Sequence, residues 1–362
     1  MQAGAKQIEI ELTLRLNPDD VPTLLRAETL GVVRAGTPAK KRLRSTYFDT
    51  PDFQLRRHQI VLRVRKVGRR FIQTVKTAPK TDQAFIARGE WERMVPSALP
   101  DIGEFAGDSA VRRVFDQPNL ADSLVAVFTT DFIRTSVPLQ LGESNLELAV
   151  DVGEIMTAAG SERICEVEIE LKSGLVAHVY EAAALVRRNV PAILEPLSKS
   201  ARAFALLDGG AAPTLKAIRL RLDRRLGLGE AFLVIARACL HQLRMNAAAV
   251  ARRDDPEAMH QLRVALRRLR SAFSAFAEPM PTTERRVFAQ RLRGLARTTD
   301  AARELDVFLG EILPAVRKGV GADPGLASVA AQAARARQAA CTRVRQMVAS
   351  EAFTEAILSL EA

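Results

Sequence analysis

Aromatic residues and cysteines are both scarce in this sequence. Aromatic residues make up 5% of the 362 residues, with one tryptophan and two tyrosines among them. The three cysteines, Cys165, Cys239 and Cys341, lie far apart and lack the spacing of a metal site or a disulfide framework. These absences favour cores built from aliphatic residues, with buried thiols in a reducing cytoplasm.

Long apolar runs are also missing. No run approaches the roughly 20 residues of a membrane-spanning helix, and Met1–Lys6 is not followed by the apolar stretch of a signal peptide. We therefore expect a soluble, cytoplasmic protein without a membrane partner. A chain of 362 residues is long enough for two domains of ordinary size.

A large excess of basic over acidic residues occurs in only one part of the chain. Residues 1–214 carry 28 Lys and Arg against 27 Asp and Glu, whereas residues 215–310 carry 19 against 10. Most of the net charge of +11 therefore belongs to the second half. Such an excess predicts a polyanionic partner, which would be nucleic acid, an anionic membrane surface or a phosphate polymer.

The first half consists mainly of strand-like segments. From Ile8 to Leu16 the apolar residues occupy every even position, which is the period of a β-strand. The same alternation occurs over residues 60–65, 71–77, 87–95, 131–137, 146–152 and 164–172. Residues 18–30 and 175–189 favour helices instead. Seven or eight such strands predict an antiparallel sheet that curls into a barrel.

The charges on these strands are sorted by sign. The first strand and the last two carry carboxylates, and the strands between them carry arginine and lysine. Charged faces usually point to water, but a solvated surface offers no reason for this sorting. Helices packed on the apolar face would instead leave a charged interior. That interior would hold a polyphosphate between cations and carboxylate-bound metal ions.

Several motifs resemble those of the CYTH domain, the triphosphate tunnel metalloenzyme family. In order they are Glu9-x-Glu11, Tyr47–Pro51, Leu62–Lys66, Thr74–Thr77 and Glu166-x-Glu168-x-Glu170, and the resemblance covers residues 6–207. It implies an eight-stranded antiparallel β tunnel with outer helices, one or two Mg²⁺ or Mn²⁺ ions, and hydrolysis of inorganic triphosphate. Family members also act on thiamine triphosphate or ATP, and the sequence does not separate these substrates.

The resemblance assigns a role to each matching residue. It implies that Glu9, Glu11, Glu168 and Glu170 are catalytic and bind metal, with Asp151 and Glu166 as further ligands. Phosphate would be bound in the tunnel by Arg63, Arg65, Lys76, Arg88 and Arg134, with Lys199 and Arg202 closing one end. These residue types fit the chemistry, because hard divalent cations prefer carboxylate oxygens and phosphoryl transfer depends on charge neutralisation.

One position departs from the family motif Glu-x-Glu-x-Lys. Thr13 occupies the lysine position, and a hydroxyl supplies no positive charge. Arg15, two residues further along the same face, is one alternative source of that charge. The other alternative is a degenerate tunnel, in a protein that binds polyphosphate without hydrolysing it.

The second half has a helical period. We expect a tunnel domain at 1–207, a Gly- and Pro-rich linker at 208–217, and a helical domain at 218–362. One helix is predicted over residues 230–251. The next helix has Asp255 as N-cap and Pro256 at its first position, and it extends to about Ala277.

Both helices carry a stripe of histidine and arginine. The first stripe comprises Arg237, His241 and Arg244, and the second comprises His260, Arg263, Arg267 and Arg270. At 100° per residue the second stripe spans about 80° beside an apolar face. A basic stripe is often only a solvated face, but this one has almost no acidic partner within its own helix. Two such stripes predict an anion-binding groove.

Residues 260–270 and 303–308 resemble the motifs of the CHAD domain, with Glu304 where the family has Asp. This resemblance covers residues 220–362 and implies an all-α bundle that binds inorganic polyphosphate, with association of the protein with polyphosphate granules. The second half of a CHAD domain is not matched, so the domain is expected to be truncated or completed in a homodimer. Nucleic acid is disfavoured as partner, because few aromatic residues are available to stack on bases.

Overall fold

The computed structural model describes residues 7–26, 33–34, 36–77, 88–103, 105, 107–277, 282–321 and 323–361. The chain divides into two compact units, one ending at Gly210 and the other running from Ala211 to Glu361. All described strands lie in the first unit, and the second is helical. The predicted α+β class is confirmed.

The first unit contains one antiparallel sheet of eleven described strands. Eight of them have six residues or more, in agreement with the predicted eight-stranded tunnel, and three are shorter. The strands are β1 (Gln7–Glu9), β2 (Glu11–Leu16), β3 (Val33–Arg34), β4 (Ala39–Asp49), β5 (Ile60–Val67), β6 (Arg70–Thr77), β7 (Arg88–Val95), β8 (Val125–Leu141), β9 (Ser144–Thr157), β10 (Gly160–Ser173) and β11 (Ala192–Leu194).

The opening segment closes the sheet on itself. It was predicted as one strand, but it is interrupted at Ile10, and its two parts have different neighbours. Strand β1 pairs with β7, whereas β2 pairs with β10 and β11. The path between them runs β7-β6-β5-β4-β8-β9-β10. A single residue therefore joins the two ends of the sheet, which makes it a barrel.

Helices cover the outer face of the barrel. They are α1 (Val21–Leu24), α2 (Gln54–Arg57), α3 (Ser109–Phe115), α4 (Leu120–Ser123) and α5 (Ala177–Asn189). One apolar core joins residues of β5 and β6 to α2, α3 and α4, with Leu62 and Val111 nearly inaccessible. Helix α5 packs on β2 and β10. Of the helix predicted over residues 18–30, a 3-10 turn at Pro18–Asp20 and α1 are present, and residues 27–30 lie outside the described residues.

A further helix, α6 (Lys199–Leu207), packs over one end of the barrel. Here the inner face changes from charged to apolar. The apolar cluster at this end contains Leu43, Tyr47, Phe128, Phe132, Ile155, Ile164 and Ala203, and Phe204 and Leu207 of α6 pack against it. Within the described residues, the barrel is thus blind at this end.

The second unit is built from α7 (Leu228–Arg252), α8 (Pro256–Ala275), α9 (Thr282–Val307), α10 (Leu313–Val320), α11 (Pro324–Val348) and α12 (Glu351–Glu361). Asp255 caps α8 as predicted, accepting hydrogen bonds from the N–H groups of Glu257 and Ala258. A π-helical turn at Phe308–Ile312 joins α9 to α10 just before Pro314. Proline has no N–H to donate to the carbonyl four residues earlier, which accounts for an irregular turn here.

The segment before α7 is fixed to the helices although it has no regular structure of its own. The side chain of Asn246 accepts a hydrogen bond from the N–H of Leu215 and donates one to its carbonyl oxygen. Arg268 donates to the carbonyl of Ile218. Residues 214–218, partly predicted as linker, therefore belong structurally to the helical unit. No described helix of either unit is long and apolar enough to cross a membrane.

Candidate active site

The barrel encloses a cavity of about 490 Å³. Eight of the described residues that line it are glutamates, and six are lysines or arginines. The charged face of the strands therefore points inward, as the sorted charges predicted. The predicted site residues that line the cavity are Glu11, Arg63, Arg65, Lys76, Arg134, Glu166, Glu168, Glu170 and Lys199.

One wall of the cavity, formed by β2, β9 and β10, is acidic. In the register of these strands Glu170 lies directly between Glu11 on β2 and Glu147 on β9. The next inward row places Glu168 opposite Thr13. Directly opposed residues in a sheet have Cβ atoms about 5 Å apart, so the three glutamates of the outer row crowd one another. This wall needs positive charge from another part of the barrel.

The facing wall is basic and comes from β5 and β6. Arg63 lies 3.5 Å from Glu90, and Lys76 lies 3.1 Å from the same carboxylate. Burial and the like charge of Arg63 lower the pKa of Arg65. Burial would raise the pKa of the Tyr47 phenol, but Arg63 and Arg65 lower it below its ordinary value. Close-packed cations of this kind favour an anionic ligand.

Lys199 reaches the deepest part of the acidic wall. Its ammonium lies 2.7 Å from carboxylate oxygens of both Asp151 and Glu168 and also contacts Glu166. Arg134 donates to Asp151 at 2.7 Å and to Glu168. Burial alone would raise the pKa of Glu168, but the charges of Arg134 and Lys199 lower it far below its usual range. All three carboxylates are therefore held by cations of the chain itself.

The floor of the cavity is the first turn of α6. Ser198, Lys199 and Ser200 line it, and the hydroxyl of Ser198 caps the helix by accepting the N–H of Ala201. A helix N-terminus carries partial positive charge, which favours a bound anion. The floor is thus positively polarised by both the helix and the Lys199 ammonium.

Arg202 lies behind the cavity wall and is not among the described side chains that line it. It is 1% exposed, and its guanidinium donates to Glu162 at 2.7 Å, to Glu166, and to the carbonyl of Arg163 at 3.0 Å. These acceptors engage its nitrogens within the wall. The prediction that Arg202 contacts phosphate directly is not supported by this geometry, because the side chain is turned toward the wall.

Arg15 does not supply the missing motif lysine. Its side chain is 47% exposed, lies 4.0 Å from Glu195 and is not among the described cavity-lining residues. The cations beside Glu168, opposite Thr13, are Lys199 and Arg134 instead.

The acidic wall has the donor chemistry of a divalent metal site. Oxygens of Asp151, Glu166 and Glu168 lie within 4.8 Å of one another. Lys199 already lies among these three, so a metal ion at this point would compete with its ammonium. Carboxylate oxygens are the ligands that Mg²⁺ prefers.

Two predicted residues are described only in their backbones. Glu9 and Arg88 are directly opposed in the β1–β7 pair, and their side chains lie outside the described part of the chain. Other cavity residues were not predicted, among them Tyr47, Glu90, Glu92, Glu147, Lys172 and Glu195. Glu147 and Lys172 carried a signal, since each alternates in step with predicted site residues. Glu195 stands next to a proline without any pattern.

The predicted stripes of the helical unit are partly engaged by other helices. Arg244 on α7 pairs with Glu361 on α12 at 3.1 Å. Arg263 on α8 pairs with Asp300 on α9 at 2.5 Å. The acidic partners that each helix lacks internally therefore come from elsewhere in the bundle. Arg237, Arg267 and Arg270 are exposed, whereas His260 is half-buried.

His241 is also half-buried. Burial and the nearby charge of Arg244 lower its pKa to about 4. It is therefore neutral at pH 7. Asp306, in the second predicted motif, accepts a hydrogen bond from Arg337 of α11, which also binds Asp254. The contacts described for Asp306 are therefore structural.

Comparisons with known proteins agree with both motif resemblances. A family model of the CYTH domain matches residues 7–204, and a model of the CHAD domain matches residues 234–362. An inorganic triphosphatase of Haemophilus influenzae is 29% identical over 203 residues, which cover 55% of this chain and 54% of that protein. The chain thus spans about half the length of this curated relative.

Two solved structures are similar to the barrel. One is a Hippeastrum protein described as a candidate adenylyl cyclase with dominant triphosphatase activity (19% identity, TM-score 0.40, 55% of this chain and 96% of that chain). The other is a candidate adenylate cyclase of Bacillus halodurans (18% identity, TM-score 0.33, 51% and 89%). At these TM-scores the likeness is too weak to support a functional conclusion.

Proposed function

Because the chain belongs to the CYTH domain family and carries a CHAD domain after it, we propose that the barrel hydrolyses inorganic triphosphate with Mg²⁺ or Mn²⁺. The observation that carries this proposal is the cavity itself, where a basic wall of Arg63, Arg65 and Lys76 faces an acidic wall. A polyphosphate lying between them contacts cations on one side. On the other side, the carboxylates of the acidic wall would hold metal ions, which would neutralise further phosphate charge.

The chain's own residues supply positioning and charge neutralisation, which dominate catalysis of phosphoryl transfer. The cavity floor, formed by the first turn of α6, is positively polarised and holds the terminal phosphoryl group. Lys199 and Arg134 neutralise the charge on that group. Arg63, Arg65 and Lys76 hold the rest of the substrate. Confinement in a blind cavity keeps these groups aligned with the scissile bond.

The outer acidic row is the proposed metal site. Glu11 and Glu170 are directly opposed, and Glu168 follows one row deeper. Together with Glu9 they are among the ligands that the family resemblance implies, which also include Asp151 and Glu166. A bound divalent ion supplies Lewis-acid stabilisation of phosphoryl oxygens and activates water at neutral pH. Glu147, which completes the row, is proposed as a further ligand.

Release of orthophosphate from inorganic triphosphate, measured with Mg²⁺ and with Mn²⁺, tests the proposal. Glu11→Gln is expected to reduce kcat/KM by about 100-fold or more, since it removes charge at the reacting centre. Glu154→Gln is the matched control, because Glu154 is exposed and lies on the opposite face of β9 from Asp151. Folded protein that releases no phosphate with either metal contradicts a hydrolase.

A non-catalytic phosphate-binding barrel is the second candidate, and Thr13 is the observation that favours it. It predicts binding of triphosphate without turnover. Thiamine triphosphate and ATP present the same phosphate tail and belong in the same substrate panel.

For the helical unit we propose binding of inorganic polyphosphate, which would bring the protein to polyphosphate granules in the cytoplasm. The support is the basic excess of residues 215–310 and the exposed Arg267 and Arg270. Association of the helical unit into a homodimer is proposed as well. Sedimentation of the full chain with and without polyphosphate tests the dimer.

A further inference from the structure

We propose that residues 214–226, called here the basic strap, form a polyphosphate-binding surface of the helical unit that is distinct from the two histidine–arginine stripes. The proposal rests on the function proposed for that unit and names the site that carries it. It starts from the charge of the strap. Five cations, Lys216, Arg219, Arg221, Arg224 and Arg225, accompany a single acid, Asp223.

These cations are available to a ligand. All five are exposed, and within the described residues only Arg225 has a carboxylate partner, Asp223 at 3.3 Å. The stripes differ in this respect. Arg244 and Arg263 are already paired with Glu361 and Asp300. The strap therefore presents more uncompensated charge per residue than either stripe.

The first part of the strap, Thr214 to Ile218, is also held in place, which lowers the entropy cost of binding at that end. Asn246, 0% exposed, bonds both backbone groups of Leu215. Arg268 bridges the side chain of Gln242 to the carbonyl of Ile218, and Thr214 bonds Asp255 at 3.3 Å. An exposed segment without regular structure is thus fixed at three points by side chains of the helical unit.

The chemistry of the strap favours an inorganic phosphate chain over nucleic acid. Four of the five cations are arginines, whose guanidinium groups bind phosphate oxygens in pairs. No aromatic residue occurs between Ala211 and Ala231, so nothing is available to stack on bases. Arg268 of α8 contacts the strap at Ile218. The exposed Arg267 is its neighbour in sequence and lies about 100° around the helix. Basic residues of α8 therefore lie beside the strap.

The test is binding of linear polyphosphate to the full chain over a range of salt concentrations. A strap variant replaces Lys216, Arg219, Arg221 and Arg224 with glutamine. A matched control replaces four exposed arginines of α9 with glutamine, and it removes the same amount of charge. These arginines are Arg286, Arg291, Arg293 and Arg297. We expect the strap variant to bind about tenfold more weakly and to lower the slope of log K against log salt by about 2–3, while the control changes little.

Four outcomes decide the proposal. Loss of binding in the strap variant alone supports it, provided that the circular dichroism spectrum and triphosphate hydrolysis are unchanged. Binding that persists in the strap variant, or falls equally in the control, overturns the strap as the site. Competition by an RNA oligonucleotide of equal charge at equal strength overturns the choice of an inorganic chain. Absence of binding by the wild type contradicts the function proposed for the whole helical unit.

Discussion

The ammonium of Lys199 lies 2.7 Å from Oε1 of Glu168, and Glu168 is the cross-strand neighbour of Thr13. Positive charge thus reaches the acidic wall from helix α6, at the row where the family motif places a lysine on β2. Lys199 and Arg134 thus place positive charge at the row where Thr13 stands. Several measurable consequences follow from this and from other contacts of the structure.

If Lys199 stands in for the motif lysine, Thr13→Lys should rescue its loss. We expect Lys199→Gln to lower kcat/KM for triphosphate about 100-fold, because it removes charge stabilisation at the floor. Adding Thr13→Lys to that variant should restore at least tenfold. The four enzymes form a double-mutant cycle measured by phosphate release. If the double variant is no more active than Lys199→Gln, a lysine at position 13 does not take over the role of Lys199.

Arg202 should govern stability more than phosphate affinity. Arg202→Met removes a buried guanidinium from Glu162 and Glu166, and the loss of one partner of a buried ion pair typically costs about 3–5 kcal/mol. Urea unfolding followed by the fluorescence of Trp91, which packs against the core of the first unit, measures this loss. Glu154→Gln is expected to leave the unfolding midpoint in place. If Arg202→Met has normal stability and a raised KM, Arg202 binds phosphate directly and its role is not mainly structural.

The helical unit should lose stability on mild acidification because of His241. Its pKa is about 4 in the folded protein, below the ordinary value of about 6.5. Between these values the unfolded chain takes up a proton that the folded chain does not. Stability therefore falls as pH decreases from 6.5 to 4, by about 2–3 kcal/mol in all, and levels off below.

Far-UV circular dichroism during urea unfolding reports this loss, since the second unit holds the longest helices. The comparison with His241→Gln isolates the contribution of this residue from that of the carboxylates, which titrate near the lower limit. An identical pH profile for both proteins contradicts a neutral buried His241.

The blind end of the barrel should restrict hydrolysis to chain ends. Helix α6 and the apolar cluster at Phe128 and Ile155 leave no described passage beyond the floor. A phosphate group that reaches Lys199 must then be terminal. We expect cyclic trimetaphosphate, which has no terminal group, to be cleaved at less than about 1% of the rate of linear triphosphate, because binding energy at the floor is lost. Comparable rates for the two substrates indicate that the floor is not where the reaction occurs.

Much of the barrel was predictable from local patterns. Alternation of charged and apolar residues located β5, β6, β7, β9 and β10, and the sorting of charge by strand indicated the inward face. Strand β4 was missed, because the run Lys40-Lys41-Arg42 breaks its alternation. The alternation of apolar and polar residues continues unchanged through Ile10, so it does not predict the interruption of the strand there. The interruption arises from the change of neighbour between β7 and β10, which depends on the whole sheet.

Side-chain partners were harder to predict than strands. Arg202 and Lys199 lie three residues apart on one helix, yet one faces the wall and the other the cavity, because α6 crosses the barrel end at an angle that the sequence does not specify. Likewise the acidic partners of Arg244 and Arg263 lie on helices remote in sequence. Within-helix spacing carries no information about contacts of this kind.

The closure of the barrel through residues 7–16 has a consequence for how the protein folds. Glu11 comes near the start of the chain, and its neighbour Glu170 lies near the end of the first unit. During synthesis β2 is made well before β10, so it cannot pair with this neighbour until most of the first unit has been synthesised. Sheets dominated by such distant pairings fold slowly. The candidate metal site therefore cannot form before β10 is made, so a ribosome-bound chain that stops before β10 should lack it.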